Sequence, residues 1–351
     1  MANANVGWEY TKSYNAGIDW SVLGGRISGN VDFYFQNTED LLVNQNLPSS
    51  SGVGGSILVN VGKTQNKGVE VGLHTQNFVA QEKGGFNWNT DINISVNRNK
   101  LVALNSGVMQ DEGNGWFVGY PIDVIYDNNK LGIWQLDEAE DAAKYNSEPG
   151  EVKIEDYNKD GKITTEDRYV TGTFEPKFEF GFTNTFNYKD FDMSIVTYGQ
   201  VGGTLVSTIH QPQSYLNSLE GRRNCIKVDY CTEENPTNAY PKISQNHSYD
   251  YMYTLGYLDS SYWKIKTITL GYTLPEKWTK KLHISNLRII ATCNIVATLF
   301  SPYMRAGGVD PQPTGYFAQE NGGGQQQTRQ LVVGLNTPPS RLFLFGINFK
   351  L

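Results

Sequence analysis

The sequence predicts an all-β protein: an antiparallel transmembrane β-barrel segment of about nine strands, with long loops at one end. Three observations predict it. Apolar and polar residues alternate with period two through nine segments, a pattern that splits into two faces on a strand and mixes on a helix. The connections between those segments alternate strictly between short and long. Hydrophobic residues make up only 39% of the 351, yet aromatics reach 13%, with 21 Tyr and 36 Gly. Few aliphatics with many aromatics and glycines suit a chain whose apolar side chains face lipid from alternate positions.

The first strand covers about 9–22. The second, "RISGNVDFYFQN", sets Ile27, Gly29, Val31, Phe33 and Phe35 against Ser28, Asn30, Asp32, Tyr34 and Gln36. The third covers about 67–79. The fourth, "FNWNTDINISVN" at 86–97, is the cleanest, with Phe86, Trp88, Thr90, Ile92, Ile94 and Val96 on one face and Asn, Asp and Ser on the other. The fifth and sixth cover about 176–188 and 190–201. The seventh, about 262–274, breaks the pattern: Lys264 and Lys266 share a parity with Ile268, Leu270 and Tyr272. That predicts a bulge, or a strand partly outside the apolar band. The eighth, "LRIIATCNIVATL", aligns Leu287, Ile289, Ala291, Cys293, Ile295, Ala297 and Leu299. The ninth, "RLFLFGINFKL", aligns Phe343, Phe345, Ile347, Phe349 and Leu351.

The joins after strands one, three, five and seven are short: "LGGR", "QEKGG", "YKDF" and "PEKWTKKLHIS". Those after strands two, four, six and eight are long, at about 39–66, 100–175, 202–261 and 300–339. Tight periplasmic turns and long extracellular loops produce this alternation in outer-membrane barrels. Trp20, Trp88, Tyr188 and Phe191 flank the short turns, where an interfacial girdle belongs. With short turns periplasmic, strand nine runs inward and the C-terminus is periplasmic. Strand one also runs inward, and an odd strand number does not close a bacterial barrel. The sequence therefore reads as the closing part of one barrel domain spanning 1–351. "ANANVGWEY" has neither a charged n-region nor an apolar h-region, so the expected export signal lies on a preceding portion.

Bulk charge excludes other classes. With 29 Lys+Arg against 36 Asp+Glu the net charge is −7, and no basic aromatic stripe points to nucleic acid. No apolar run is long enough for a membrane helix. No serine-elbow, Walker or zinc pattern appears, and no carboxylate pair is placed for glycoside hydrolysis, so no enzyme is expected. His74, His210, His247 and His283 are scattered without ligand spacing. Cys225 and Cys231 either pair in an oxidising compartment or are unrelated thiols. "NGGGQQQ" at 321–327 reads as a polar loop tip, and the Tyr-rich 246–257 as an outer-loop segment that packs rather than one whose aromatic faces stack on sugar rings.

One stretch carries ligand chemistry. "DYNKDGKITTEDR", 156–168, has the spacing of a calcium loop: Asp156, Asn158 and Asp160 at positions one, three and five, Gly161 at the turn, Ile163 at eight and Asp167 at twelve. The Lys162 carbonyl completes an oxygen set for a hard cation, Ca2+ before Mg2+. Asp167 replaces the usual Glu and reaches less far. "SEPGEVKIE" before and "TGTFEPKF" after cannot form the paired helices of a sensor, so the expected role is a brace. The competing reading is an Asx-rich turn around Gly161.

Five segments in order resemble the C-terminal barrel region of SusC/RagA-type TonB-dependent outer-membrane transporters of Bacteroidota. They are "GWEYTKSYNAGIDWSVLGGRISGNVDFYFQNTEDLL", "NVGKTQNKGVEVGL", "DYNKDGKITTEDRYVTGTFEPKFEFGFTNTFNYKDFDMSI", "YWKIKTITLGYTLP" and "FGINFKL". The resemblance implies the last nine strands of a barrel of roughly 22 around a plug. It also implies energy from a TonB complex, a SusD-like surface lipoprotein as lid, and glycan oligosaccharide or peptide as cargo. The plug and early strands are absent from this sequence, and the chain ends on Leu351 where an aromatic is common. The alternative is a soluble β-sandwich carbohydrate-binding module with a calcium-stabilised loop.

Overall fold

The computed structural model describes residues 6–46, 56–60, 62–104, 107–211, 228–242, 251–280, 284–312, 332–333 and 339–350. Its main feature is one nine-stranded antiparallel sheet. The strands are β1 (Tyr10–Val22), β2 (Ile27–Glu39), β3 (Lys63–Phe78), β4 (Asn87–Ala103), β5 (Phe178–Tyr188), β6 (Phe191–Val201), β7 (Tyr262–Thr273), β8 (Asn286–Phe300) and β9 (Leu342–Lys350). Each pairs with its sequence neighbours, as an up-and-down meander requires.

Register aligns the alternating faces across all nine strands. Ile18, Val31 and Val71 form one row, Leu73, Ile92 and Phe182 another, and Ile289 and Ile347 a third. The result is a continuous apolar face, and no described residues cover it: Ile18 is 66% exposed and Phe345 82%. A soluble sandwich would have a second sheet packed there. Among the described residues there is none, and one nine-stranded meander is not the two-sheet arrangement of a sandwich. Lipid is the solvent such a face requires.

The face is edged as the sequence implied. Trp88 stacks on Phe186 at 5.9 Å, and Phe191 meets Tyr272 at 4.5 Å, both beside short turns. Polar groups on this face satisfy one another. Asn77 donates to Thr90 Oγ1 (2.6 Å), while Thr90 and the Trp88 indole both donate to Asn184 Oδ1 (2.8 and 3.0 Å). Unpaired, each would be costly next to hydrocarbon.

The irregularity in β7 is a bulge. Thr267 lies opposite Val196 and Ile265 opposite Thr197, so Lys266 is the extra residue. β8 compensates: Thr267 faces Asn294 while Ile265 faces Ala297, and Ile295 takes a positive φ of 56°. The bulge returns Lys264 to the polar face, opposite Tyr198.

Two strands run further than alternation suggested. β3 begins at Lys63 rather than near 67, and β4 continues to Ala103 rather than ending near 97. Lys63, Thr64 and Gln65 pair with Glu39, Thr38 and Asn37. Hydrophobic alternation stops where the apolar band stops, but the backbone ladder continues beyond it. The first long connection also contains a hairpin, Leu42–Asn46 with Ser56–Asn60.

The larger long connections fold together into a cap. Ile133, Val152 and Ile154 from the second pack with Cys231, Met252 and Leu255 from the third. Leu205 and Leu258 from the third pack with Tyr303 and Val333 from the fourth. Apart from Leu101 and Tyr262, the buried apolar residues described all belong to connections. The fold's dry core is therefore in its loops. Among the described residues no helix is long and apolar enough to cross a membrane.

Candidate functional site

Opposite the apolar face, alternate positions build a polar wall. Asp32, Glu70, Ser95 and Glu179 form one row across β2–β5, and Asn30, Gly72, Asn93 and Gly181 the next. Cross-strand bonds fix the side chains. Tyr34 donates to Asn97 Oδ1 (2.9 Å), Tyr198 to Glu179 Oε1 (2.6 Å), and His74 Nδ1 lies 2.7 Å from Asp91. Arg288 grips Asp192 with two nitrogens, at 3.0 and 2.5 Å. That fork passes over Gly271, where an added Cβ would lie 2.4 Å from an Asp192 oxygen. Gly68 makes the same room beneath Tyr34. A wall of hydroxyls, amides and paired charges offers hydrogen bonds to a polar solute.

At the rim, Lys264 forms a buried ion pair with Asp310 of the fourth long connection. Its ammonium also lies 5.2 Å from the Tyr262 ring centroid. The bulge thus puts a cation where it ties cap to wall.

The cap is held by buried polar bonds. Tyr257 donates to Asp127 Oδ2 (2.5 Å), and burial with that carboxylate pushes the phenol far above its ordinary pKa. His210 is fully buried, with Nδ1 2.6 Å from Ser207 Oγ and Nε2 3.0 Å from the Ala306 carbonyl. Burial lowers its pKa, so the neutral ring is favoured. Tyr251 donates to the Ile163 carbonyl (3.3 Å), and Met252 and Leu255 enter the cap core. The described part of the Tyr-rich segment therefore packs, as expected; residues 246–250 lie outside the described residues. Cys231 is buried in the same core. Cys225, His247, His283 and 321–327 also lie outside the described residues.

The Asp156–Asp167 loop closes one side of the cap. Asp156 accepts from the amides of Asp160 (3.2 Å) and Gly161 (3.0 Å), Asn158 Oδ1 from Asp160 N (2.9 Å), and Asp160 Oδ1 from Lys162 N (2.8 Å). Gly161 has φ +82°, the left-handed turn that position needs. Ile163 packs on the cap core. Asp167 is fully buried and accepts from Tyr157 N (3.0 Å), Asn158 N (3.3 Å) and Thr164 N (2.7 Å). No helix pair flanks the loop: Val152–Ile154 is a strand, and Thr165–Asp167 one 3-10 turn.

The donor set fits a hard cation chemically. Each Asp or Asn oxygen that takes one amide hydrogen keeps lone pairs, and no Lys or Arg among the described residues pairs with Asp167. The described side chains do not yet converge: no group of three or more His, Cys, Asp and Glu gathers on one point. Sequence reading missed the Lys264–Asp310 tie and the Ser207–His210–Tyr303 cluster. Lys264 and Asp310 lie 46 positions apart and Ser207 and Tyr303 lie 96 apart, and the short Ser207–His210 step has no meaning until Tyr303 arrives beside it.

Comparisons with known proteins agree with this geometry. The family model described as "TonB dependent receptor-like, beta-barrel" matches residues 1–287. TonB-dependent receptor P3 of Formosa agariphila is 29% identical over 366 residues, covering 100% of this chain and 35% of that protein. TonB-dependent receptor SusC of Bacteroides thetaiotaomicron is 26% identical, covering 88% of this chain and 30% of its own length. The solved structure of the RagAB peptide transporter superposes with a TM-score of 0.74 at 21% identity, over 99% of this chain and 36% of that one. The chain thus spans about a third of the length of these relatives.

Proposed function

The chain belongs to the TonB-dependent receptor-like β-barrel family, and from that membership we propose that it forms nine strands and the outer cap of an active importer in the outer membrane. Family members are outer-membrane β-barrels, and the relatives above are receptors rather than enzymes. One observation carries the reading: a nine-stranded sheet with a bare apolar face, a polar inner wall and every long connection at one end. Among the described residues β1 and β9 each have one neighbour, and their outer edges pair with further strands of the barrel, whose plug fills the lumen beside the polar wall. The long connections are extracellular and the C-terminus periplasmic. A SusD-like lipoprotein closes over the cap, a TonB complex supplies energy, and oligosaccharides or peptides are carried.

Native mass spectrometry of the receptor extracted from outer membranes in mild detergent tests this. The expected result is one assembly containing this sequence, a plug-bearing portion and a surface lipoprotein. Recovery of this chain alone from the aqueous fraction would reject it.

The Asp156–Asp167 loop holds calcium, with magnesium second, as a brace for the cap. Asp156, Asn158, Asp160, the Lys162 carbonyl and Asp167 supply the oxygens. Chelation is expected to speed proteolytic cleavage within 156–168 by about tenfold, and Asp156→Ala to reproduce that sensitivity with calcium present. Cleavage indifferent to both would leave only the Asx turns.

A further inference from the structure

A cleft of about 540 Å³ opens where the cap meets the ends of β5 and β6. Its lining includes Lys130, Thr204, Glu175 and Asp259, drawn from the second and third long connections. The walls are pinned. Gly202 is held on both sides: its N–H donates to Ser261 Oγ (2.8 Å), and Ser260 Oγ donates to its carbonyl (3.0 Å). Gly203 has φ +80°, and a Cβ there would sit 2.9 Å from Ser260 Oγ. A cleft held this way does not pay to be ordered when a ligand enters.

The charges in the cleft are unequal in their partners. Asp259 Oδ1 accepts from Ser261 N (2.8 Å) and Ser261 Oγ (2.5 Å). Glu175 accepts from Asn99 N (3.3 Å). Lys130 has no hydrogen-bond or ion-pair partner among the described residues, and burial alone lowers its pKa. A partly desolvated ammonium without an anion is costly, and a ligand that supplies the anion recovers that cost. Lys177 also lines the cleft, so two lysines stand against the carboxylates of Glu175 and Asp259 and the local charge is close to neutral, which suits a singly charged ligand better than a phosphate or sulfate dianion.

We propose that this cleft binds a carboxylate group of the cargo, held by the Lys130 ammonium with the Thr204 hydroxyl in the same cleft. The inference rests on the importer reading and narrows its cargo to molecules with a free carboxylate. Two sources share that chemistry: the C-terminus of a peptide and a uronic acid of an oligosaccharide.

Competitive acetylation of the assembled receptor in detergent, read by peptide mass spectrometry, tests it. The probes are tetraalanine, tetraalanine amide and tetragalacturonate. Lys130 labelling is expected to fall about fivefold with a carboxylate probe and to stay unchanged with the amide. Lys144, exposed and paired with Asp141, is the internal control. Protection by tetraalanine alone identifies peptide as the source, and by tetragalacturonate alone a uronate. Lys130→Met should weaken binding of the protecting probe by about tenfold, equivalent to about 1.4 kcal/mol. Absence of protection by both carboxylates, or equal protection by the amide, overturns the proposal. Protection with no uptake by the intact transporter would instead strike the importer reading.

Discussion

Ile92→Arg is expected to destabilise the folded barrel by about 2–4 kcal/mol, whereas Asn93→Arg, one residue along, should cost far less. Ile92 lies between Leu73 and Phe182 on the apolar face, and Asn93 between Gly72 and Gly181 on the polar wall. At the bilayer midplane a guanidinium must be desolvated or pull water inward. On the polar wall it enters an environment already rich in Asn, Ser, Asp and Glu, with lumenal water at hand. Urea titration of the whole receptor folded into lipid vesicles measures both changes. Equal tolerance of arginine at the two sites would mean that the apolar face does not meet lipid.

Asp310→Ala is the second large effect. The Lys264 side chain is 8% exposed and that of Asp310 17%, so removing the carboxylate strands a buried cation. Breaking a buried pair from one side costs about 3–5 kcal/mol, mostly as the penalty on the charge left behind. The loss should concentrate where the fourth connection meets the wall. Amide exchange in the turn of helix Pro302–Arg305 should rise by about a hundredfold or more, while exchange in β5 stays unchanged. Asp310→Asn, which keeps a hydrogen-bond acceptor, should fall between the two. Unchanged exchange in Asp310→Ala would show that water reaches Lys264 and that the pair does not anchor the cap.

The candidate metal loop shows how sequence and structure divide the work. Its spacing gave the residue types and the turn at Gly161, and the structure keeps the Asx turns that the spacing implies. The burial of Asp167 and the packing of Ile163 on the cap depend on residues from another connection. The same holds at Lys130, an ordinary lysine in the sequence. It becomes notable only because residues of the third connection complete the cleft around it and, among the described residues, none pairs with its ammonium.

By itself the sequence determined nine strands, their two faces, their order and the end at which the long connections lie. It could do so because alternation is a local property: each side chain's face follows from its parity, and an apolar row in lipid is written directly in the chain. The same rule exposed the fault at Lys264 and Lys266, though it could not choose between a bulge and a strand leaving the apolar band. Tertiary structure alone decided the bulge at Lys266, the extension of β3 and β4 past the apolar band, and the cap with its own core. Those features rest on contacts between connections far apart in sequence, such as Ile133 with Leu255 or Ser207 with Tyr303. No period records such contacts, because the backbone there is irregular and burial is set by whichever segment arrives from elsewhere.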